Sequence, residues 1–313
     1  MKEYRQGVSL AYPIDHRLIR QFLAAVEHGN ITAASNALHI SQPALTKNIR
    51  KLEEFLGVRL LERHSRGVVA TSYGQVLARR GKLVELEFEY AMAEIEAMKG
   101  GNKGTIRIGT SPVFATLYMP KVAISLVEQS PGLKIELENG VLDTLVPGLL
   151  QGDLDIVCSA LDFPDHPELV KDHLIDFEHA VFARTEHPLA DRDVIDPKEM
   201  MEYSWVMLAK DYVAVSRLGS YFSANGLGPP HIAVETNSFE TAFASVREAD
   251  FLTSSTLSLQ PHAENMGLVP LPIQGTLWHF PAGATYRRST TTPSSVNAVV
   301  ACLKDIVKTT ENI

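Results

Sequence analysis

Between Arg17 and Gly57 the chain is cut by turn-formers into three short stretches of helical periodicity. None is long enough to be stable without burying its apolar face against a neighbour. Arg17 to Glu27 carries Leu18, Phe22, Leu23 and Val26 on one face, and Gly29-Asn30 ends it with residues that tolerate a left-handed turn. Ile31 opens a second, very short helix through Leu38, with Thr32 as its expected N-cap. Its small residues, Ala33, Ala34, Ser35 and Ala37, let another helix approach closely. His39-Ile40 makes the next turn, and Ser41 N-caps a third helix with Pro43 in its first turn, where a missing N–H costs little. That helix runs to about Phe55 and Gly57 stops it.

The third helix has two faces. Leu45, Ile49, Leu52 and Leu56 recur at the spacing of a core-facing stripe, while Gln42, Pro43, Thr46, Lys47 and Arg50 point away from it, with Lys51 at the flank. Donors and cations thus collect on the outward face of its N-terminal half. After Gly57, two short extended runs, Val58 to Arg63 and Val68 to Thr71, flank a basic tip, His64-Ser65-Arg66-Gly67, and read as a hairpin or wing. Thr71 or Ser72 then caps a long helix to about Met98. Within it Leu77, Val84, Phe88, Ala91, Ile95 and Met98 form a heptad-like seam expected to pair with a second copy.

Lys99 to Gly104 is the clearest linker, and beyond it the pattern changes. Thr105 to Thr110 reads as a strand. Ser111, followed by Pro112 in first position, opens a helix to about Ser130, and Pro131-Gly132 turns into a strand at Leu133 to Glu138. A helix from about Leu142 to Leu150 and a strand from Leu154 to Ala160 follow. This βαβαβ order implies a parallel sheet with helices on its faces. Later strands are expected at His179–Ala183, Ser204–Leu208, His231–Glu235 and Phe251–Ser255. The expected fold class is therefore α/β overall, with a mostly α winged helix-turn-helix in front, and 313 residues suit two or three such units.

The net charge of −8 conceals an asymmetry. Residues 15–80 hold 10 Lys and Arg against 5 Asp and Glu; residues 101–313 hold 15 against 26. A basic head on an acidic body suggests that only the head meets phosphates. No apolar run approaches the ~20 residues of a membrane span, and the polar N-terminus leads into no signal-peptide core, so a cytoplasmic location with no membrane partner is expected. Cys158 and Cys302 lack metal-ligand spacing and sit among apolar neighbours, as small buried hydrophobes do. There is no HExxH, GxSxG, P-loop or GxGxxG in a suitable context. The histidines, His173, His179 and His187 among them, are scattered as surface or core residues. No catalytic residue, cofactor or metal is expected.

From Gly29 to Gly74 the chain resembles the LysR-type transcriptional regulators. The resemblance rests on Ala34-Ser35, Leu38, Ser41-Gln42-Pro43-Ala44-Leu45-Thr46, Ile49, Leu52-Glu53, Gly57, Leu60-Leu61-Glu62-Arg63 and Thr71-Ser72-Tyr73-Gly74. Pro131-Gly132, Gly152-Asp153-Leu154-Asp155 and His187-Pro188-Leu189-Ala190 extend it over nearly the whole chain. Members usually have Ala-Ala where this chain has Ala34-Ser35, and often Phe at Leu61, both mild departures. The resemblance implies a winged helix-turn-helix at 1–71, a linker and dimerisation helix with hinge at 72–102, and an effector-binding domain at 103–313 shaped like a periplasmic binding protein. The first lobe of that domain would be about 103–174 and 273–313, the second about 175–272, joined by two crossovers. It also implies a homodimer or homotetramer, promoter or operator DNA and RNA polymerase as partners, and an inducer bound between the lobes.

On that basis the N-terminal end of the third helix is expected in the major groove, with Gln42 on an adenine edge, and Pro43 and Thr46 on a base or a thymine methyl. Lys47 and Arg50 would meet guanine or phosphate, flanked by Lys51. Thr32 and Ser41 would anchor phosphates, and Arg63, His64 and Arg66 the backbone or minor groove. For the inducer, Ser111 and Pro112 are favoured because ligands of open α/β sheets bind beyond the strand ends. The helix start there favours an anion such as a carboxylate. Thr144, after Gly140, together with Asn237, Ser238 and Thr253, completes the expected set, although Val141 stands where carboxylate-binding members often carry a hydroxyl. The reading from another class is a solute-binding or enzymatic α/β protein with a helical appendage.

Overall fold

The computed structural model describes residues 15–65, 67–99, 104–288 and 294–311. The chain divides into two compact units, Met1–Met92 and Ala93–Ile313.

The first unit contains α1 (His16–His28), α2 (Ile31–Ala37), α3 (Gln42–Leu56), a hairpin of β1 (Leu61–His64) and β2 (Gly67–Ala70), and most of the long helix α4 (Ser72–Met98). Each short helix begins on a side-chain oxygen. Asp15 Oδ1 accepts from Arg17 N at 2.9 Å, and Ser41 Oγ accepts from Ala44 N at 3.4 Å. For α2 the cap is Asn30, whose Oδ1 takes the N–H groups of Thr32 and Ala33 at 2.8 and 3.2 Å. Asn30 is the last residue with extended backbone, so the cap lies two positions before the expected Thr32. Phe22, Ala25, Ala34, Leu45, Leu52 and Leu60 form the centre of a shared core.

Two residues expected inside or at a seam lie elsewhere. Leu56 is 37% exposed because α3 ends there, at a left-handed Gly57, beyond the reach of the core. Leu77 packs against this unit's own core rather than joining the outward stripe of α4, which begins at Val84. Glycine is required at two joints. A Cβ on Gly67, where φ is +143°, would stand 2.1 Å from Gly29 O, and one on Gly74 would stand 2.1 Å from Leu60 O. Glu53 Oε1 accepts from Leu60 N at 2.8 Å and Leu61 N at 3.2 Å, tying the end of α3 to the wing.

The second unit runs β3 (Gly104–Thr110), α5 (Pro112–Leu117), α6 (Met119–Gln129), β4 (Leu133–Asn139), α7 (Leu142–Gln151), β5 (Ile156–Ala160) and β6 (Leu169–Arg184). It continues through α8 (Pro197–Met200), β7 (Ser204–Leu208), α9 (Tyr212–Ala224), β8 (Ile232–Thr236), α10 (Phe239–Glu248) and β9 (Phe251–Thr256). It ends with α11 (Gln260–Asn265), β10 (Leu268–Pro270), β11 (Trp278–Arg287) and α12 (Ser294–Glu311). The single helix expected from Ser111 to Ser130 is two. Tyr118 leaves helical geometry at φ −118°, and Pro120, which has no N–H to donate, sits in the restarted first turn.

The sheet order is β4-β3-β5-β11-β6-β9-β7-β8, with β10 beside β6. β3 is parallel to β4 and β5, and β7 is parallel to β8 and β9. The long strands β6 and β11 run antiparallel between these two parallel sets. One core, around Ile106, Phe114, Val122, Phe177 and Leu303, fills the first half; another, around Trp205, Leu218, Phe222 and Leu252, fills the second. β6 changes allegiance near Phe177 to His179, and β11 near Trp278 to Phe280, a few residues beyond the expected lobe limits at 174 and 273. Asp155, 2% exposed, explains the Gly-Asp-Leu-Asp motif: Oδ2 accepts from Arg107 N at 2.7 Å, and Oδ1 lies 3.6 Å from Arg287 Nη2. Arg287 also donates to Leu149 O at 2.7 Å and to Leu154 O. Among the described residues, no helix is long and apolar enough to cross a membrane.

At Gly283, where the β6–β11 register shifts, a Cβ would stand 2.0 Å from Asp172 O. Gly219, inside α9, has nothing within 4 Å of its Cβ position. Gly283→Ala should therefore destabilise the chain by about 2–3 kcal/mol, and Gly219→Ala should stabilise it by about 0.5–1 kcal/mol. Denaturant midpoints of the two full-length variants should move in opposite directions.

Candidate functional site

Two surfaces, one in each unit, carry the chemistry. In the first unit, burial of Leu45, Ile49 and Leu52 turns Gln42, Pro43, Lys47, Arg50 and Lys51 to solvent, with Thr46 half-buried at the edge. Asn48 Nδ2 donates to Gln21 Oε1 at 2.8 Å and fixes the rotation of α3 against α1. Ser41 and Thr32 are exposed at the starts of α3 and α2. Arg63 and His64 are exposed on β1, with His64 Nε2 3.8 Å from Glu62 Oε2. Arg66 lies outside the described residues, as does the side chain of Met98. On α4, Val84, Phe88, Ala91 and Ile95 are exposed at spacings of 4, 3 and 4, an apolar face on a helix exposed along much of its length.

In the second unit, the C-terminal ends of β3, β5, β7 and β9 converge on a cavity of about 110 Å³. Ser111, Pro112 and Thr253 line it. Ser111 holds the cap position of α5 but makes no cap bond; its Oγ is shut off from solvent without a partner. Thr144, Asn237 and Ser238 do not line the cavity. Two of these hydroxyls serve their own helices. Thr144 Oγ1 accepts from Val141 N at 3.2 Å and donates to Val141 O at 2.9 Å, and Ser238 Oγ accepts from Thr241 N at 3.2 Å.

Among the lining residues not anticipated from the sequence are Asp162, His179, Asp211, Arg217 and Trp278. Asp162, just past β5, pairs with Arg217 of α9 across the cavity. Arg217 lies 6.0 Å over the Trp278 ring and donates to His279 O at 3.5 Å. Trp278 stacks on His179 with ring centroids 4.3 Å apart. His179 Nδ1 and Asp162 Oδ1 are both shut off from solvent without a partner. Burial, with a smaller contribution from the Arg217 guanidinium, pushes His179 down to about 3. Asp211, which accepts from Ala214 N at 3.1 Å, is pushed up to about 6, mainly by burial and also by the carboxylates of Asp143 and Asp162. Asp143 Oδ2 in turn accepts from Tyr212 N at 3.2 Å, linking α7 to the start of α9. One signal for these residues was available: His179 and Trp278 sit where the two crossover strands pass from one half to the other.

Cys158 is fully buried in β5, its thiol pushed up to about 12 by burial, and Cys302 is half-buried on α12; both are free. Among the described residues, no group of three His, Cys, Asp or Glu side chains is placed to hold a metal ion.

Residues 16–75 match the family model of the bacterial regulatory helix-turn-helix protein, lysR family, and residues 99–308 match that of the LysR substrate binding domain. The HTH-type transcriptional regulator PcaQ of Agrobacterium fabrum (strain C58 / ATCC 33970) is 28% identical over 282 residues, 88% of this chain and 90% of its own length. Full-length OxyR from Pseudomonas aeruginosa superposes with a TM-score of 0.68 at 20% identity, covering 93% of this chain and 95% of that one. Full-length CbnR in complex with its target DNA superposes with a TM-score of 0.61 at 20% identity, covering 95% and 99%. At these identities the two structures speak to the fold alone.

The cavity's titrating groups give stability a pH signature. Between its ordinary 3.8 and about 6, Asp211 keeps its proton when folded and loses it when unfolded, so stability falls as pH rises through that window and stays lower above it. The shift corresponds to on the order of 3 kcal/mol. His179 works in the opposite sense: below its ordinary 6.5 only the unfolded chain gains the proton, so stability falls as pH drops toward about 3. The two slopes oppose each other in wild type, but the Asp211→Asn difference isolates one. That variant should be more stable than wild type by about 2–3 kcal/mol at pH 7.5 and nearly equal at pH 4. Urea titrations at several pH values check it; a pH-independent difference would contradict the assignment.

Proposed function

The chain belongs to the LysR family of bacterial transcriptional regulators, and from that premise we propose that α3 reads operator DNA while the cavity of the second unit senses a small molecule. The protein is a DNA-binding transcriptional regulator and not an enzyme. The observation that carries the DNA reading is the burial of Leu45, Ile49 and Leu52, which leaves Gln42, Pro43, Thr46, Lys47, Arg50 and Lys51 along one outward edge of a helix locked by Glu53 and Asn48. The Gln42 amide offers the donor and acceptor that match an adenine edge, and the cations suit guanine or phosphate. Thr32 and Ser41, at helix starts, and Arg63, His64 and Arg66 of the wing are assigned to phosphates or the minor groove.

The assignment divides the chain into a DNA-binding part at 1–71, a linker at 72–102 and an effector-binding part at 103–313, with lobes meeting where β6 and β11 change partners. The exposed face of Val84, Phe88, Ala91 and Ile95 supports pairing with a second copy through α4, as a homodimer or homotetramer. Cytoplasmic placement and contact with RNA polymerase follow from the same assignment. Inducer control is then a population shift, in which the ligand binds one arrangement of the lobes better than another. The anion expected at Ser111 rests on the start of α5; the unpartnered Ser111 Oγ supports a ligand contact there, but a hydroxyl donates as well as accepts and does not by itself select an anion.

A promoter fragment identified by mapping bound DNA should be retained less as salt rises, with log K linear in log[salt]. Lys47→Ala should weaken all sequences alike and reduce the slope by about 1. Gln42→Ala should cost about 1–3 kcal/mol at one base pair and relax the choice there. Absence of binding at low salt would overturn the reading. Phe88→Glu should reduce the sedimenting mass to that of a smaller assembly while the unfolding transition is retained; an unchanged mass would remove α4 from the interface.

A further inference from the structure

We propose that the ligand of the cavity is a small, flat molecule that carries a hydrogen-bond donor to Asp162 Oδ1 and bears no anionic group. The proposal rests on the reading of this cavity as the sensing site and names the class of molecule that it takes.

The charges on the lining come first. Asp162 and Asp211 contribute two carboxyl groups, and Arg217 one guanidinium. Arg217 is already engaged by Asp162. A ligand carboxylate would have to compete with Asp162 for Arg217, leaving Asp162, 13% exposed, without its counter-ion beside Asp211, which sets a cost against binding. Asp211 is held above the ordinary carboxyl value mainly by burial, and the neighbouring Asp143 and Asp162 add to that push, so a further negative charge would meet both desolvation and like charge here.

The unmet hydrogen bonds come second. Asp162 keeps one oxygen on Arg217, while its other, Oδ1, is shut off from solvent with no donor. A carboxylate oxygen can only accept, so what meets it must donate. Ser111 Oγ can donate or accept, as can the neutral His179 ring at Nδ1 according to its tautomer. The set as a whole therefore calls for a donor, with acceptors tolerated on the Ser111 side. Leaving buried polar atoms unmatched is costly, which favours a ligand that meets them.

The walls come third. Trp278, stacked on His179, together with Phe239, Phe280 and Met207, gives the cavity aromatic and soft apolar surfaces. A cavity of about 110 Å³ is of the order of one ring. An amide, amidine, amine or hydroxyl on a ring or short apolar body fits all three constraints; a carboxylate on the same body fails the first two.

Benzamidine, benzamide and benzoate share the ring and differ in the head group: charged donor, neutral donor with acceptor, and anionic acceptor. Binding of each to the full-length protein should be measured by calorimetry and by the shift in Tm. Benzamidine and benzamide should bind at least about tenfold more tightly than benzoate, with 1.4 kcal/mol corresponding to that factor. Asp162→Asn should weaken benzamidine by about tenfold or more, and Val213→Trp, which fills the cavity from α9, should abolish binding of all three while leaving the protein folded. If benzoate binds as tightly as benzamide and Val213→Trp abolishes both, the cavity is the ligand site and the proposed class is wrong. If probe binding ignores Val213→Trp, the cavity reading itself falls. If none of the three binds at millimolar concentration, neither survives. The comparison among probes on wild type needs no variant, so a poorly folding Asp162→Asn protein would not protect the proposal.

Discussion

The second unit depends on the antiparallel pairing of β6 and β11, which extends from Trp278 opposite His179 to Arg287 opposite Leu169. Every parallel strand of this unit is attached, directly or through a neighbour, to one of these two. β5 pairs with the later part of β11, and β9 with the middle of β6. The cores of the two halves are thereby held on one continuous ladder, which passes from one to the other near Phe177 to His179 and Trp278 to Phe280. His179 and Trp278 stand at that point, stacked, and they also line the cavity. Whatever fills the cavity touches the residues at which the two strands pass from one half to the other. The register shift at Gly283 belongs to the same design, because it lets β11 press against Asp172 more closely than any side chain would allow.

The first unit solves a different problem, that of holding a short helix at one rotation. Leu45 and Leu52 are fully buried, each contributing about 1.5–3 kcal/mol, and this fixes which face of α3 looks outward. Asn48 to Gln21, and Glu53 to the amides of Leu60 and Leu61, then pin its flank and its end by hydrogen bonds that an apolar core cannot supply. Gly67 and Gly74 are small because backbone carbonyls of Gly29 and Leu60 occupy the space. A rigid frame of this kind presents six outward side chains at one edge, so that on the proposed reading little ordering would remain to be done on binding DNA.

How much of this could be read from the sequence varies with the physics. The short helices were legible because their periodicity and caps are local. The cap of α2 was misplaced by two residues because Asn30 and Thr32 are both good caps, and only the backbone of Asn30 is extended. β11 was missed because Pro281 and Gly283 read as strand breakers, yet the carbonyl of Pro281 accepts from Leu161 N at 2.7 Å and Gly283 occupies the shift. The first part of β6 was missed because Lys171, Asp172, His173 and Asp176 lend it the look of a loop, their polarity reflecting partial exposure. Of the predicted cavity residues, Ser111, Pro112 and Thr253 line it. Thr144 and Ser238 do not, because a hydroxyl at a helix start can serve either its own helix or a ligand, and sequence does not separate the two. Asp162, Arg217, His179 and Trp278 come together from positions as much as 116 residues apart, and no local pattern announces that.

Burial in the cavity works against charge on two of its titrating groups, Asp211 and His179, while Asp162 and Arg217 form an ion pair. That pair joins the segment after β5 to α9, so it bridges the two parallel sets of strands. On the proposed reading of the cavity as a sensing site, a bridge of this kind would make a closed arrangement conditional. In a widened cleft both partners regain water and little is lost; in the closed one they depend on each other and on whatever satisfies Asp162 Oδ1. A ligand that supplies the missing donor gains that bond only when the cleft is closed, which is the differential affinity a population shift requires. A ligand that displaced Asp162 would instead spend its binding on undoing the bridge. On that reading, the same few side chains would both select the ligand and convert its binding into a preference between arrangements.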